Sequence, residues 1–150
     1  MKVSLQEAVG KNYADFWNTK QRYRVCKGSR GSKKSKTTAL NMIYRLMEYP
    51  LANGLCVRRY SNTLRDSVFS DLKWAIHKLG LDAFFECTVS PMQIVRKSTG
   101  QKILFRGLDD GLKITSISVD YGVLCFVWIE EAYEISNEDD FNKLDMSIRG

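Results

Sequence analysis

One unbroken apolar run, VLCFVWI at residues 123–129, constrains the fold of this chain more than any other segment. Seven apolar residues without polar alternation are typical of a strand buried on both faces, as in a parallel sheet covered by helices. Two shorter segments also have strand character, RYRVCKG at 22–28 and LCVRRY at 55–60. MQIVRKSTGQKILFRG at 92–107 has the pattern of a hairpin with KSTGQK as its turn.

Two segments between these strands have helical periodicity. The first begins at Ser35, and its apolar face is predicted to carry Ala39, Leu40, Ile43, Leu46 and Met47. Pro50 and Gly54 are expected to end this helix and its turn. The second is expected to be capped by Ser61 or Asn62, with an apolar face made of Leu64, Val68, Phe69, Leu72, Ile76 and Leu79. Strands that alternate with helices predict an α/β fold with a largely parallel central sheet flanked by helices.

The segment GSRGSKKS, residues 28–35, lies between a predicted strand and the first predicted helix. Phosphate-binding loops have a glycine, four residues, a second glycine, a lysine and then serine or threonine. Gly28, Lys34 and Ser35 match this spacing, whereas Lys33 stands where the second glycine is expected. A register on the next lysine and threonine, 36 and 37, fails because residue 30 is an arginine and the glycine at 31 is too close. A basic turn that caps a helix is the alternative interpretation.

The loop residues have separate chemical tasks if they bind a nucleotide. Backbone N–H groups around the loop and at the start of the following helix would surround the phosphates. Lys34 would reach the β- and γ-phosphates, and the Ser35 hydroxyl would bind Mg²⁺. Arg30 would stabilise charge on the γ-phosphate, although a solvated loop charge is the alternative. The predicted nucleotide-binding set is Gly28, Ser29, Arg30, Gly31, Ser32, Lys33, Lys34 and Ser35.

Two acids, Glu130 and Glu131, directly follow the apolar run. Many nucleotide hydrolases end a buried strand with an acid that supports Mg²⁺, and a second acid can polarise the attacking water. A pair of surface acids at a strand end is the alternative. Ligands of α/β sheets bind at the carboxyl ends of the strands, and both this pair and the loop follow predicted strands. The combined pattern predicts a site for ATP and Mg²⁺.

Charge and composition leave the partner less determined. The net charge of +6 favours a polyanion such as DNA, or reflects an ordinary solvated surface. Candidate DNA contacts, for which surface charge is an equal alternative, are Arg58, Arg59, Arg65 and Lys113. Residues that could contact an adenine base, although core packing is favoured for them, are Tyr13, Trp17 and Gln21.

The rare residue types and the hydropathy indicate the compartment. The four cysteines form no CxxC pair, so we expect buried free thiols in a reducing environment. A single histidine, His77, argues against a zinc site. The amino terminus lacks the apolar core of a signal peptide, and no apolar stretch is long enough to span a membrane. We therefore expect a cytosolic protein that is not secreted and has no membrane partner.

Four ordered segments together resemble the large terminase subunit of tailed bacteriophages, in particular its PBSX-like members. GSRGSKKS resembles the variant Walker A loop of that family, and VWIEEA at 127–132 resembles its Walker B segment, in which glutamate can replace aspartate. RRYSNTLRDSVFSDL at 58–72 and ILFRGLDDGLKI at 103–114 are also similar to the family. The resemblance covers 22–150.

The resemblance implies a P-loop ATPase of the ASCE type, with residues 1–21 as a lead-in segment and 22–150 as the P-loop core. It implies that Lys34 and Ser35 bind phosphate and Mg²⁺ and that Arg30 is an arginine finger acting in cis. Glu130 would support Mg²⁺, and Glu131 would be the catalytic base. Lys33 departs from the strictest form of the loop.

The family also implies partners and further parts. A packaging motor acts on double-stranded DNA with a small terminase subunit and a portal protein, as a homo-oligomeric ring in the cytoplasm of the bacterial host. The chain is expected to be an amino-terminal piece, incomplete at its carboxyl end, without the coupling motif and the nuclease domain of full-length members. Two alternatives stay open, a helicase- or repair-like P-loop ATPase and a non-enzymatic basic module that binds DNA.

Overall fold

A computed structural model describes residues 34–109, 117–131 and 142, and within these ranges helices and strands alternate along the chain. In chain order the elements are α1 (Lys34–Glu48), β1 (Ala52–Arg58), α2 (Ser70–Lys78), β2 (Phe85–Val89), β3 (Met92–Arg96), β4 (Lys102–Gly107) and β5 (Val123–Ile129). A 3-10 turn at Ser61–Thr63 and a π-helical segment at Arg65–Phe69 lead into α2, and another 3-10 turn, Asp82–Phe84, precedes β2. The predicted strand at 22–28 and the lead-in segment lie outside the described residues.

The five strands form one mixed sheet in the order β2-β3-β4-β1-β5. β1 is central and pairs in parallel with both β4 and β5. β3 pairs antiparallel with β2 and with β4. The predicted α/β class is therefore confirmed, but the described sheet is mixed rather than largely parallel, because the β2–β3 ribbon continues it in antiparallel fashion. The segment FECTV of β2 was not predicted, although its alternation of apolar and polar residues is a strand signal.

Both helices described here pack on the same face of the sheet. Side chains of successive strand residues point to opposite faces, so β1 contributes to two apolar clusters. Cys56 belongs to the larger cluster beneath α1 and α2, whereas Leu55 and Val57 belong to a smaller cluster on the other face. The larger cluster also contains five buried strand residues: Phe85, Ile94, Ile103, Phe105 and Trp128.

The apolar run 123–129 forms the predicted strand, β5, but not at the centre of the described sheet. Trp128 is buried there, whereas Val123 is 59% exposed and Cys125 is also exposed. The prediction that this strand is buried on both faces is therefore wrong for these two positions. β5 has only one partner strand among the described residues, and the full burial expected for it is found instead in β1.

Helix α1 confirms the predicted apolar face. Ala39, Leu40, Ile43 and Leu46 are all buried, and Met47 packs against them while partly exposed. The prediction about Gly54 is wrong, because this glycine lies inside β1 rather than in the turn after the helix. A Cβ atom at position 54 would lie 3.3 Å from the sulfur of Met42, so the glycine lets α1 approach the sheet closely.

The second helical segment keeps its predicted buried face, which includes Leu64, Val68, Phe69, Leu72 and Ile76. Its beginning differs from the prediction. No side-chain hydrogen bond caps the 3-10 turn at 61–63 among the described residues, and the regular helix begins only at Ser70. Ser61 acts instead as a donor: its N–H and its hydroxyl donate to the two carboxylate oxygens of Asp109, at 3.1 and 3.3 Å. The turn is thus held by a residue that follows β4.

Gln101 connects the end of α1 to the β3–β4 hairpin and has no exposed surface. Its Nε2 lies within hydrogen-bond distance of three backbone oxygens: those of Leu46 (2.9 Å), Tyr49 (2.8 Å) and Ala52 (2.7 Å). Its Oε1 accepts hydrogen bonds from Arg96 Nη1 at 3.0 Å and from Thr99 Oγ1 at 2.8 Å. One buried amide therefore joins a carbonyl that α1 leaves open at its carboxyl end, that of Leu46, to the turn and to the start of β1.

Candidate functional site

The first turn of α1 meets the carboxyl end of β5 through a side-chain hydrogen bond. Ser35 Oγ donates a hydrogen bond to Glu130 Oε1 at 3.0 Å. Glu130 is the first residue after β5, and its N–H donates to the Val57 oxygen at 2.9 Å, which extends the pairing with β1. The main chain therefore fixes Glu130 at the end of the two parallel strands, where it faces the start of the helix. The two residues predicted to hold Mg²⁺ lie together.

The surroundings of Glu130 disfavour its charge. Burial raises the pKa of this carboxyl above its ordinary value, and the hydrogen bond from Ser35 opposes that effect. The nearby charges of Glu131 and Asp71 raise the pKa further, whereas the Arg58 guanidinium lowers it. A half-buried carboxylate close to two other acids is stabilised by a cation, because the cation offsets both the burial of the charge and the repulsion.

Glu131 has an unusual backbone conformation. Its φ is 54°, in the left-handed region that residues other than glycine rarely adopt. Such a conformation costs on the order of 1–3 kcal/mol and is concentrated at functional sites. The turn directs the second acid away from the course of β5 immediately after Glu130.

Helix α1 begins at Lys34, and its first turn leaves backbone N–H groups without helical partners. This end of a helix attracts anions, phosphate groups in particular. Lys36 is placed differently: its Nζ lies 2.9 Å from Asp71 Oδ1, and Thr37 is only 2% exposed. The geometry therefore favours the register on Lys34 and Ser35 over the register on Lys36 and Thr37, as the spacing of the loop predicts.

The donor set at the end of β5 suits Mg²⁺. This ion prefers oxygen ligands and usually binds one or two protein groups together with substrate phosphates and water. A serine hydroxyl and a carboxylate 3.0 Å apart supply two such ligands. Among the described residues, no group of three or more histidine, cysteine, aspartate or glutamate side chains could hold a metal by itself.

Of the candidate DNA contacts, Arg58 ends β1 and acts electrostatically on Glu130. The guanidinium of Arg59 lies 5.3 Å from the centre of the Tyr60 ring, and Arg65 is exposed at the start of the π-helical segment. All three lie at or beyond the carboxyl end of β1. Arg58 is thus brought to the same site as the two glutamates, which its sequence position did not indicate.

The remaining predicted positions lie outside the described residues. Most of the loop, residues 28–33 including Arg30 and Lys33, lies outside the described residues. The same is true of Lys113 and of the candidate adenine contacts Tyr13, Trp17 and Gln21.

The structure adds Asp71 to the neighbourhood of the site. Asp71 lies in the first turn of α2, pairs with Lys36 and influences Glu130. Its sequence position, one acid in an amphipathic helix, is typical of a solvated helix start. The contact with α1 depends on how two helices pack, which local spacing does not reveal.

The part of the chain that the structure describes contains no helix long and apolar enough to cross a membrane.

Comparisons with known proteins identify the family. A family model described as "Phage terminase large subunit" matches residues 20–150. The "Terminase, large subunit" of Bacillus phage SPP1 is 34% identical over 151 aligned residues, covering 98% of this chain and 36% of that protein. The "PBSX phage terminase large subunit" of Bacillus subtilis (strain 168) is 31% identical over 131 residues, covering 87% of this chain and 29% of that protein. The chain spans about a third of the length of these two relatives. The resemblance noted in the sequence is confirmed, and the chain belongs to the phage terminase large subunit family.

Proposed function

We propose that this chain is the nucleotide-binding part of an ATP-driven motor that moves double-stranded DNA into phage proheads. The hydrogen bond between Ser35 and Glu130 carries the proposal, because it joins the helix after the glycine- and lysine-rich loop to the acid that directly follows β5. A P-loop ATPase of the ASCE type consists of a strand, a phosphate-binding loop, a helix and an acid at the end of a second strand, and the described residues include the helix and the acid. The family membership supports the same conclusion.

In the proposed reaction, water attacks the γ-phosphorus in line with the bridging oxygen that leaves with ADP. Lys34 contacts the β- and γ-phosphate oxygens from the start of α1. Ser35 and Glu130 hold Mg²⁺, which neutralises charge on those oxygens. Glu131 orients the water and accepts its proton as the new O–P bond forms and the old one breaks. The strained turn at Glu131 supports this role, because it separates the direction of the second acid from that of the first.

The further parts of the proposal concern the assembled motor. Arg59 and Arg65 are proposed to contact DNA phosphates, and such contacts depend on salt rather than on sequence. The proposed assembly is a homo-oligomeric ring that acts with a small terminase subunit and a portal protein in the bacterial cytoplasm. The net charge of +6 supports a polyanionic partner.

Nucleotide titration tests the proposal at the site itself. We would titrate a fluorescent ATP analogue with Mg²⁺ against the wild type, Lys34→Ala and the control Lys97→Ala. Lys97 is exposed in the β3–β4 turn, at the end of the sheet opposite to Glu130. Loss of charged hydrogen bonds to phosphate should weaken binding by Lys34→Ala about tenfold or more, and Lys97→Ala should bind as the wild type does. A wild type that binds no nucleotide, or two variants that bind alike, would contradict the proposal.

A third variant, Glu131→Ala, separates binding from chemistry. It should retain the affinity for Mg·ATP and lose turnover, since its proposed task concerns the attacking water alone. Weakened binding with turnover intact would exclude Glu131 as the base.

A further inference from the structure

Lys36, the residue after Ser35, is held on two sides by the beginning of α2. Its Nζ lies 2.9 Å from Asp71 Oδ1 and 4.7 Å from the centre of the Trp74 ring. Asp71 and Trp74 are three residues apart on one helix and therefore lie on the same face of α2. The Asp71 side chain is 17% exposed, whereas that of Lys36 is 41% exposed, so only the aspartate end of this ion pair is shielded from solvent.

The helical geometry of α1 separates Lys36 from Lys34. Successive residues of an α-helix are turned by about 100°, so positions 34 and 36 point about 200° apart. Lys36 therefore extends from the side of α1 opposite to Lys34, towards α2. Ser35, between them, faces Glu130. The first turn of α1 is thus attached to α2 on one side and to the end of β5 on another.

Asp71 also faces the acid at the end of β5. Its negative charge acts on Glu130, although the two carboxylates are not hydrogen-bonded to each other in the described structure. The Lys36 amine is bonded to Asp71 rather than to Glu130. Asp71 and Trp74 therefore hold the Lys36 amine on the α2 side of the helix.

We propose that Asp71 is a positioning residue of the nucleotide site that acts through Lys36. The ion pair fixes the rotation of the first turn of α1, which keeps the Ser35 hydroxyl against Glu130, and it holds the Lys36 amine away from the metal position. The inference rests on the proposed nucleotide site. It goes beyond that site by adding a residue that contacts neither phosphate nor metal.

A purely structural role would have a different signature. An ion pair that only joins α1 to α2 would, when broken, weaken ATP binding to the same degree with and without Mg²⁺. A positioning role acts on the Ser35–Glu130 pair, so it should affect mainly the additional affinity that Mg²⁺ provides. The ratio of the ATP dissociation constants in EDTA and in Mg²⁺ measures that contribution.

The experiment determines this ratio for the wild type, Asp71→Asn, Lys36→Met and Lys36→Arg. Asp71→Asn and Lys36→Met should each reduce it about tenfold, the factor that corresponds to a single lost ligand contact. Lys36→Arg retains both the ion pair and the contact with Trp74, and should keep the ratio of the wild type. Asp71→Asn is nearly isosteric, and remains informative if Lys36→Met fails to fold.

The control is a second lysine–aspartate pair, at the end of the sheet opposite to Glu130. Lys102 Nζ lies 2.5 Å from Asp120 Oδ2, so Lys102→Met and Asp120→Asn remove the same chemical groups there. These two variants should leave the ratio unchanged. If the Asp71 and Lys36 variants match the controls, or lose affinity equally with and without Mg²⁺, the inference is overturned while the proposed site stands on Lys34→Ala. A wild type that binds no ATP overturns the proposed function itself.

Discussion

Glu130 combines three local features that a surface glutamate at a strand end would lack. Its backbone continues the pairing with β1, its carboxylate accepts the Ser35 hydrogen bond, and burial raises its pKa. The next residue, Glu131, has a left-handed φ that is costly for a residue other than glycine. Partial burial of an acid and local backbone strain both reduce stability, and both are expected where they serve binding or catalysis.

The raised pKa of Glu130 predicts a pH-dependent stability of the nucleotide-free protein. Between the ordinary value of 4.5 and the higher folded value, the folded protein holds a proton that the unfolded chain has released. The free energy of unfolding therefore falls as the pH rises through this window, and the loss is complete above it. Glu130→Gln removes the effect, so its advantage over the wild type should grow from pH 4 to pH 7.

Urea unfolding across that pH range, without nucleotide or Mg²⁺, measures this difference. Glu86→Gln, at an exposed position of β2, serves as the control for a change of one charge. A constant difference between wild type and Glu130→Gln at every pH would show that burial does not disfavour this charge.

At the scale of elements, two junctions fix the sheet relative to α1 and to the segment before α2. Gln101 joins the end of α1 to the β3–β4 hairpin, next to the amino end of β4. At the other end of this strand, β4 ends against the turn at 61–63, where Ser61 donates to Asp109. Both junctions are made by side-chain hydrogen bonds rather than by contacts between apolar side chains.

Replacing Gln101 by leucine should destabilise the protein strongly. The Ala52 carbonyl would lose the Gln101 donor, the Leu46 carbonyl would keep only the 3.5 Å contact with Arg96 Nη1, and unsatisfied buried groups cost about 1–3 kcal/mol each. We expect a loss of about 3 kcal/mol in the free energy of unfolding, measured by urea denaturation. Gln93→Leu, the same change at a half-buried position of β3, should cost less than about 1 kcal/mol. Equal losses in the two variants would show that the amide contacts contribute nothing.

Gly107→Ala tests the second junction. A Cβ atom at position 107 would lie 2.7 Å from Ser61 Cα and closer still to the Ser61 nitrogen and an Asp109 carboxylate oxygen. The turn would have to move, at a cost of about 2 kcal/mol or more, as in overpacked sites. Gly100→Ala is the control, because its φ is +78° but nothing lies within 4 Å of the added atom. It should lose only about 1 kcal/mol. A larger loss at 100 than at 107 would contradict the close approach of Ser61.

The elements that could be predicted from the sequence are those defined by local periodicity. The buried face of α1, the hairpin at 92–107 and the strand after residue 122 were all confirmed. The position of β5 in the sheet could not be predicted, because an apolar run indicates that a strand is buried but does not indicate which neighbouring elements cover it. The π-helical segment at Arg65–Phe69 was also missed, since its apolar spacing is close to that of an α-helix.

The candidate site divides in the same way. The proximity of Ser35 and Glu130 could be anticipated, because both follow predicted strands and parallel strands end at a common edge. The contact of Asp71 with Lys36 could not, because it depends on the packing of α2 against α1. Arg58 ends β1, and the parallel pairing of β1 with β5 brings it to the same end of the sheet as Glu130.

In the molecule as a whole, the candidate functional residues and the main structural hydrogen bonds lie at opposite ends of the sheet. The carboxyl ends of β1, β4 and β5 lie at one end of the sheet, where Arg58, Asp109 and Glu130 are found. The opposite end contains the β3–β4 turn and Gln101, whose hydrogen bonds join the hairpin to α1. The proposed nucleotide site lies at the end with Glu130. We propose that at this end Ser35 and Glu130 jointly bind one Mg²⁺ ion for ATP.

A double-mutant cycle on Mg·ATP binding tests this shared metal site, using the wild type, Ser35→Ala, Glu130→Gln and the double variant. If both groups bind the same ion, each single variant should lose about tenfold in Mg-dependent affinity. The double variant should then be hardly weaker than either single one, which corresponds to a coupling of about 1.4 kcal/mol. Single losses that multiply in the double variant, or single variants that bind Mg·ATP as tightly as the wild type, would contradict a shared metal site.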